Sequence, residues 1–196
     1  MAPYFGATGY AWPMTTLLHA VGRYAEAHPH PSGLTPTPIP GLAVARATEP
    51  SGLMHAVSQP MVCLVVQGSK QVTTGTQSFA FSAGDSLLIT ADVPTVNQIT
   101  RASAAAPYLS LVLALALDLA VVADLAVQMD PEPEGRHAPV RVDATEVEVA
   151  DAALRLMRLL DRPAAVPVLQ AALVRELHYW LLAGRHGAAI RRLGWP

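Results

Sequence analysis

The chain has 196 residues and a mass of 20.7 kDa, enough for one good-sized core and too little for two large domains. Hydrophobic residues make up 52% and charged residues 14%, with a mean hydropathy of +0.32, which excludes an intrinsically disordered chain. A net charge of −2 and a pI near 6.4 give no general attraction to phosphate backbones, so nothing nominates DNA as a direct partner. The single cysteine, Cys63, excludes an intramolecular disulfide, so a cytoplasmic, reducing location is expected.

The opening segment MAPYFGATGYAWPMTTLLHA has no basic start and no continuous apolar stretch, so it does not read as a signal peptide. A better helical pattern begins at Met14, which leaves the origin of residues 1–13 open. Residues 28–40 (HPHPSGLTPTPIP) hold five prolines and predict an extended arm laid over a surface. Residues 1–40 are thus expected to form a short N-terminal helix and a Pro-rich arm.

From Gly41 to Leu117 the texture changes to seven short β-rich runs: LAVARA, MVCLVVQ, KQVTTG, QSFAFS, DSLLITA, TVNQIT and YLSLVLALA. Their close turn spacing predicts an antiparallel sandwich or barrel over 41–130, with Gly68 and Gly75 at consecutive hairpins. The apolar run Leu109–Val127 is long enough for a membrane span, but Asp118 and Asp124 interrupt it. It is read instead as a strand from Tyr108 to Leu117 and a short helix capped by Asp118, with no membrane partner.

After Asp130 a loop leads into two helices filling 131–196. The first is expected from Asp143, with Glu146 as its capping-box partner, to Leu160. The second is expected from Pro167 to Ala183, stopped by Gly184. Leu169, Leu173, Leu177, Trp180 and Leu181 fall on one face of it. That stripe packs on the preceding helix, on a second copy of the chain in a homodimer, or on both.

Residues 59–115 resemble the N-terminal domain of AraC-type transcriptional regulators. The most telling pieces are CLVVQGSKQV at 63–72, AGD at 83–85, DVP at 92–94 and PYLSLVLAL at 107–115. The resemblance continues more weakly over about residues 35–194. It implies a cupin-like antiparallel β-barrel that binds a small-molecule effector, followed by a helical hairpin used for dimerisation. In that family a C-terminal pair of helix-turn-helix motifs binds DNA. The chain ends at Pro196, where that module would begin, so DNA is expected as a partner only through a part outside it.

Cupin enzymes hold a metal with histidines and a glutamate, since imidazole and carboxylate suit iron, manganese or zinc. Between Gly68 and Gln98 there is no histidine; Gln77 stands where a glutamate would be, and Thr95 follows Pro94 in place of a histidine. No metal, no cofactor and no catalytic residue are therefore expected. The seven histidines, His19, His28, His30, His55, His137, His178 and His186, lie elsewhere. The His28/His30 pair lacks a third ligand nearby and reads as an exposed arm. His55 reads as a structural residue that could line the barrel mouth. His178 reads as an interface or surface residue.

Cys63 alternates with Val65 and Gln67 on one strand face and reads as a small buried hydrophobe. An apolar interior with a few polar groups is the usual form of a ligand pocket. The expected lining residues are Met54, Cys63, Val65, Gln67, Thr90, Asn97 and Tyr108. Three readings follow: an effector-sensing and dimerisation domain of a regulator, a metal-independent or degenerate cupin-type enzyme acting on a small molecule, and a dimerisation module whose barrel is filled by its own side chains.

Overall fold

A computed structural model describes residues 11–115, 119–129 and 138–194. Asp118, the expected helix cap, and His137 lie outside the described residues. Helix α1 (Ala11–Ala27) turns Leu17, Ala20, Val21 and Ala25 to the core, at the three- and four-residue spacing of one helical face. Pro29 and Pro31 prevent its continuation, and the His28 ring closes its last turn on the Tyr24 carbonyl at 3.0 Å.

Among the described residues ten strands follow in two antiparallel sheets. β1 (Leu34–Pro36), β2 (Leu42–Ala47), β4 (Met61–Gln67), β7 (Asp85–Ile89), β9 (Tyr108–Ala114) and β10 (Val140–Ala144) form a six-stranded sheet in the order β1-β2-β9-β4-β7-β10. β3 (Met54–Ser58), β5 (Ser69–Thr74), β6 (Gln77–Ser82) and β8 (Val93–Arg101) form a four-stranded sheet in the order β3-β8-β5-β6. Strands β1 and β10 come from outside 41–130: β1 is built from the Pro-rich arm, and Leu34 pairs with Ala45.

The six-stranded sheet is apolar on both faces, which is why MVCLVVQ reads as a continuous run. Val62, Leu64 and Val66 of β4, Val44 of β2, Leu88 of β7 and Leu111 of β9 face the helices. Cys63 and Val65 of β4, with Leu87 and Ile89 of β7, face the second sheet and meet Val72 and Phe81 there. Each fully buried Leu or Val side chain contributes roughly 1.5–3 kcal/mol over leaving it in water.

Register shifts between Val65 and Gln67 on β4, and between Ser69 and Lys70 on β5, flank the turn at Gly68 and bend the two strands around it. Gly68 has φ +81°, and a Cβ there would lie 2.5 Å from the Arg101 carbonyl oxygen and 2.9 Å from Tyr108 Cα, so only glycine fits the corner.

Helix α2 (Leu119–Met129) follows β9. Among the described residues no helix is long and apolar enough to cross a membrane. The expected capping box is corrected: Asp143 is a strand residue of β10, paired with Ser86 of β7. Helix α3 (Val147–Leu160) has Glu146 as its N-cap residue with no side-chain cap bond. The alternation in VRVDA outweighs the local capping signal, because a strand there extends a sheet already apolar on that edge. The Glu146 carboxylate instead accepts the Arg185 backbone N–H at 3.2 and 3.3 Å.

A 3-10 turn, Pro163–Ala165, joins α3 to α4 (Val166–Ala183), which ends at an extended Gly184. Leu177 and Leu181 are buried within the chain and Leu173 and Trp180 pack partly on the same core, whereas Leu169 stays exposed. His178, read in sequence as an interface or surface residue, is instead fully buried, with Nδ1 2.8 Å from the Val174 carbonyl oxygen. A final helix, α5 (Gly187–Gly194), buries Ala189 and Ile190.

His186 clasps α5 to the sheet. Its Nε2 lies 2.8 Å from Ser86 Oγ, and its Nδ1 lies 3.4 Å from Asp143 Oδ2. Burial holds the His186 imidazole below its ordinary pKa, with Asp143 opposing that depression and Arg141 adding to it. An unfolded histidine titrates near pH 6.5, so on acidification the unfolded state takes up this proton first. The clasp's contribution is therefore complete above about pH 6.5 and is lost as pH falls from there through the folded value. Thermal melts between about pH 7.5 and 5.5 are expected to show a Tm that falls with acidification, and a smaller fall in His186→Gln. An identical slope in the variant would remove this role.

Candidate ligand cleft

Inward-facing positions on half of the barrel carry small side chains. Ala45 and Ala47 of β2, Ser110 of β9 and Cys63 of β4 face Ala56 and Ser58 of β3 across the gap. Packed sheets stand about 10 Å apart, a distance that facing Leu or Val side chains fill and facing Ala or Ser side chains do not. On the other half Val65, Val72, Phe81 and Leu87 close the gap. The result is a cleft of about 580 Å³, open to solvent and walled by β2, β9 and β4 on one side and by β3, β8 and β5 on the other. Met54, Met61, Ile99 and Val112 supply larger apolar surface.

Ser58 and Asn97 are polar groups of this lining, and both bond the buried Thr95. Thr95 Oγ1 accepts from Asn97 Nδ2 at 2.9 Å, lies 2.7 Å from Ser58 Oγ, and donates to the Ala56 carbonyl oxygen at 3.4 Å. Tyr108 is buried with its hydroxyl 3.9 Å from Cys63 Sγ. Burial, reinforced by Cys63, pushes the Tyr108 phenol well above its ordinary range, while Ser110 opposes the shift. Tyr108 is consequently a neutral hydrogen-bond donor at any physiological pH. Lys70 of β5 borders the cleft, and the rim includes Pro31, Ser32, Gly33 and Leu34 of the arm.

Four of the seven residues expected to line a pocket come together here: Met54, Cys63, Asn97 and Tyr108. The other three do not. Val65 is fully buried in the filled half of the barrel. The register shift after Val65 takes Gln67 out of the Cys63 alternation, and its amide donates to the Pro107 carbonyl oxygen at 2.8 Å. Thr90 lies beyond the end of β7, where its backbone N–H donates to Pro139 at 2.9 Å.

His55 alternates with Met54 and Ala56 and faces outward, so it does not line the mouth. His28 and His30 diverge: His28 stacks on Tyr24, and His30 Nδ1 lies 2.8 Å from Ser32 Oγ. Gln77 is exposed at the start of β6, a strand paired with β5 and not with the β8 strand that carries Thr95. No three His, Cys, Asp or Glu side chains gather as metal ligands among the described residues. Ser86, His186 and Asp143 have the order of a nucleophile, base and acid. Ser86 is only 2% exposed, and its hydroxyl also lies 3.2 Å from the Asp143 carbonyl oxygen, in the seam between sheet and helices away from the cleft.

Sequence reasoning missed Ala45, Ala47, Ser58, Lys70 and Ser110. The available signal was in LAVARA, whose alternate positions 43, 45 and 47 are all alanine: one strand face without bulk.

These features define a cupin-like antiparallel barrel, open along one side, with an N-terminal helix before it and a helical hairpin after it. The chain belongs to the family described as AraC-type transcriptional regulator N-terminus, which matches residues 38–189. No curated protein matches it. Among solved structures it is similar to apo ToxT from Vibrio cholerae strain SCE256, at 8% identity and a TM-score of 0.53, over 73% of this chain and 55% of that one. It is also similar to the AraC-like transcriptional activator CuxR, at 13% identity and a TM-score of 0.46, over 74% of this chain and 52% of that one. At such identities the likeness to ToxT shows the fold alone. The chain spans about half the length of both structures.

Proposed function

We propose that this chain is the effector-sensing and dimerisation domain of an AraC-type transcriptional regulator, acting in the cytoplasm, with DNA recognition carried by a separate module. The observation that carries this reading is the cleft. A volume of about 580 Å³, apolar with a few polar groups, falls in the range that buries a small organic ligand. It favours a sensor over a barrel filled by its own side chains. Among the described residues no histidine borders it to activate the Ser58 or Ser110 hydroxyl, which favours binding over catalysis.

The route for a signal runs through the arm. Residues 31–34 border the cleft and follow directly on α1, whose Leu17 and Val21 share a core with α3. An effector that binds one packing of the arm more tightly than another shifts the population of the helices behind it. A second copy fits the outer face of α4, where Val168 is 76% and Leu169 47% exposed beside Leu173. The dimer part of the reading rests on that face.

A thermal-shift screen of small metabolites is expected to find one compound class that raises the Tm of the wild-type chain. The response should disappear in Ala47→Leu, which fills the cleft. No stabilising class, or an equal response in Ala47→Leu, would contradict the sensor reading. Light scattering is expected to give a dimer for the wild type and a monomer for Leu169→Glu, with circular dichroism showing the variant folded; a monomeric wild type at high concentration would overturn the dimer.

A further inference from the structure

Resting on the sensor reading, we propose that the ligand of the cleft is a small amphipathic organic anion, its negative group held by Lys70 and its apolar body lying against Met61, Ile99 and Val112. Lys70 is the only lysine among the 196 residues. Strand β5, SKQVTT, puts Ser69, Gln71 and Thr73 on the outer face, where Gln71 and Thr73 bond Ser78 at 2.7 and 3.0 Å. The alternate positions face inward: Val72 is fully buried in the barrel core, and Lys70 borders the cleft. The strand partners of Lys70 are Phe81 and Ile99, both apolar.

The Lys70 ammonium, half-buried at a cleft open to solvent, makes charge-assisted hydrogen bonds with any anion that meets it. Among the described residues none does. The arginine-carboxylate pairs of the described residues are Arg23–Asp161, Arg141–Asp143, Arg155–Glu176, Arg175–Asp124 and Arg185–Glu146, and no carboxylate among these residues reaches Lys70. Glu49 borders the cleft only from the exposed loop after β2. The polar groups nearby complete the match. Asn97 and Tyr108 are neutral and can donate to an anion, while Met54, Met61, Ile99 and Val112 supply apolar wall, so one charged end and one apolar body suit this surface.

The alternative is that Lys70 extends along the wall to water at the cleft mouth and takes no part in binding. A matched pair of fluorescent probes separates the two. 1-Anilinonaphthalene-8-sulfonate and N-phenyl-1-naphthylamine share one ring system, and only the first carries a negative group. Binding of both is titrated to the full chain, with circular dichroism confirming that each variant is folded. The sulfonate is expected to bind about tenfold more tightly than the neutral probe. Lys70→Met should erase that preference without changing the neutral probe, Lys70→Arg should keep it, and Ala47→Leu should weaken both.

If Lys70→Met leaves the sulfonate's affinity unchanged while Ala47→Leu abolishes it, the anion proposal is overturned and the cleft stands as a ligand site. If Ala47→Leu affects neither probe, binding does not use the cleft, and both the anion proposal and the sensor reading beneath it fail.

Discussion

A single sheet that must be apolar on both faces organises this molecule. β4 and β9 lie at its centre, and each alternate residue answers to a different neighbour. Val62, Leu64 and Val66 meet the helices, whereas Cys63 and Val65 meet the second sheet. Helices on one face and a barrel on the other therefore share one wall, and a change in the barrel cannot be isolated from the helical layer. The cleft uses that arrangement. It opens where the inward residues are alanine, serine and cysteine, and its rim is the arm that follows α1. The cleft and the helix packing thus meet across one sheet and one short segment of chain.

The far end of the chain returns to the same sheet. β10 adds the edge beside β7, and His186 reaches Ser86 and Asp143 from the residue just before α5. Besides packing on the shared sheet, the helices are tied to the barrel by the arm and by this clasp. A domain that transmits a signal from a cleft to a helical face needs such ties, because an effector acts only through a difference in its affinity for two arrangements.

Much of this was legible in the sequence, and the reasons are particular. MVCLVVQ and YLSLVLALA read as strands because each is a short apolar, β-rich run set between turn residues. The strands that escaped notice are those whose residues carry weak or conflicting signals. β3, MHAVS, is an edge strand with Val57 68% exposed, so burial imposed no alternation on it. β1 lies among prolines, which an edge strand tolerates. β10 was hidden by an apparent capping box whose two members do other things. Gln67 was assigned to the wrong face because a register shift cannot be seen in a pattern of twos. The clasp joins residues a hundred apart, and no local spacing points to it. The cleft was half legible: its polar and sulfur-bearing members stood out, but the absences that create it, Ala45, Ala47 and Ser58, did not.

The account turns on a gap that the inward side chains leave unfilled, and a measurement that needs no ligand tests this directly. Ala45→Leu adds bulk to the cleft wall, and its denaturant unfolding can be compared with the wild type. With a real gap, stability should be unchanged or higher, since new apolar surface finds room. A loss of about 1–3 kcal/mol, the cost of overpacking a filled core, would contradict the account.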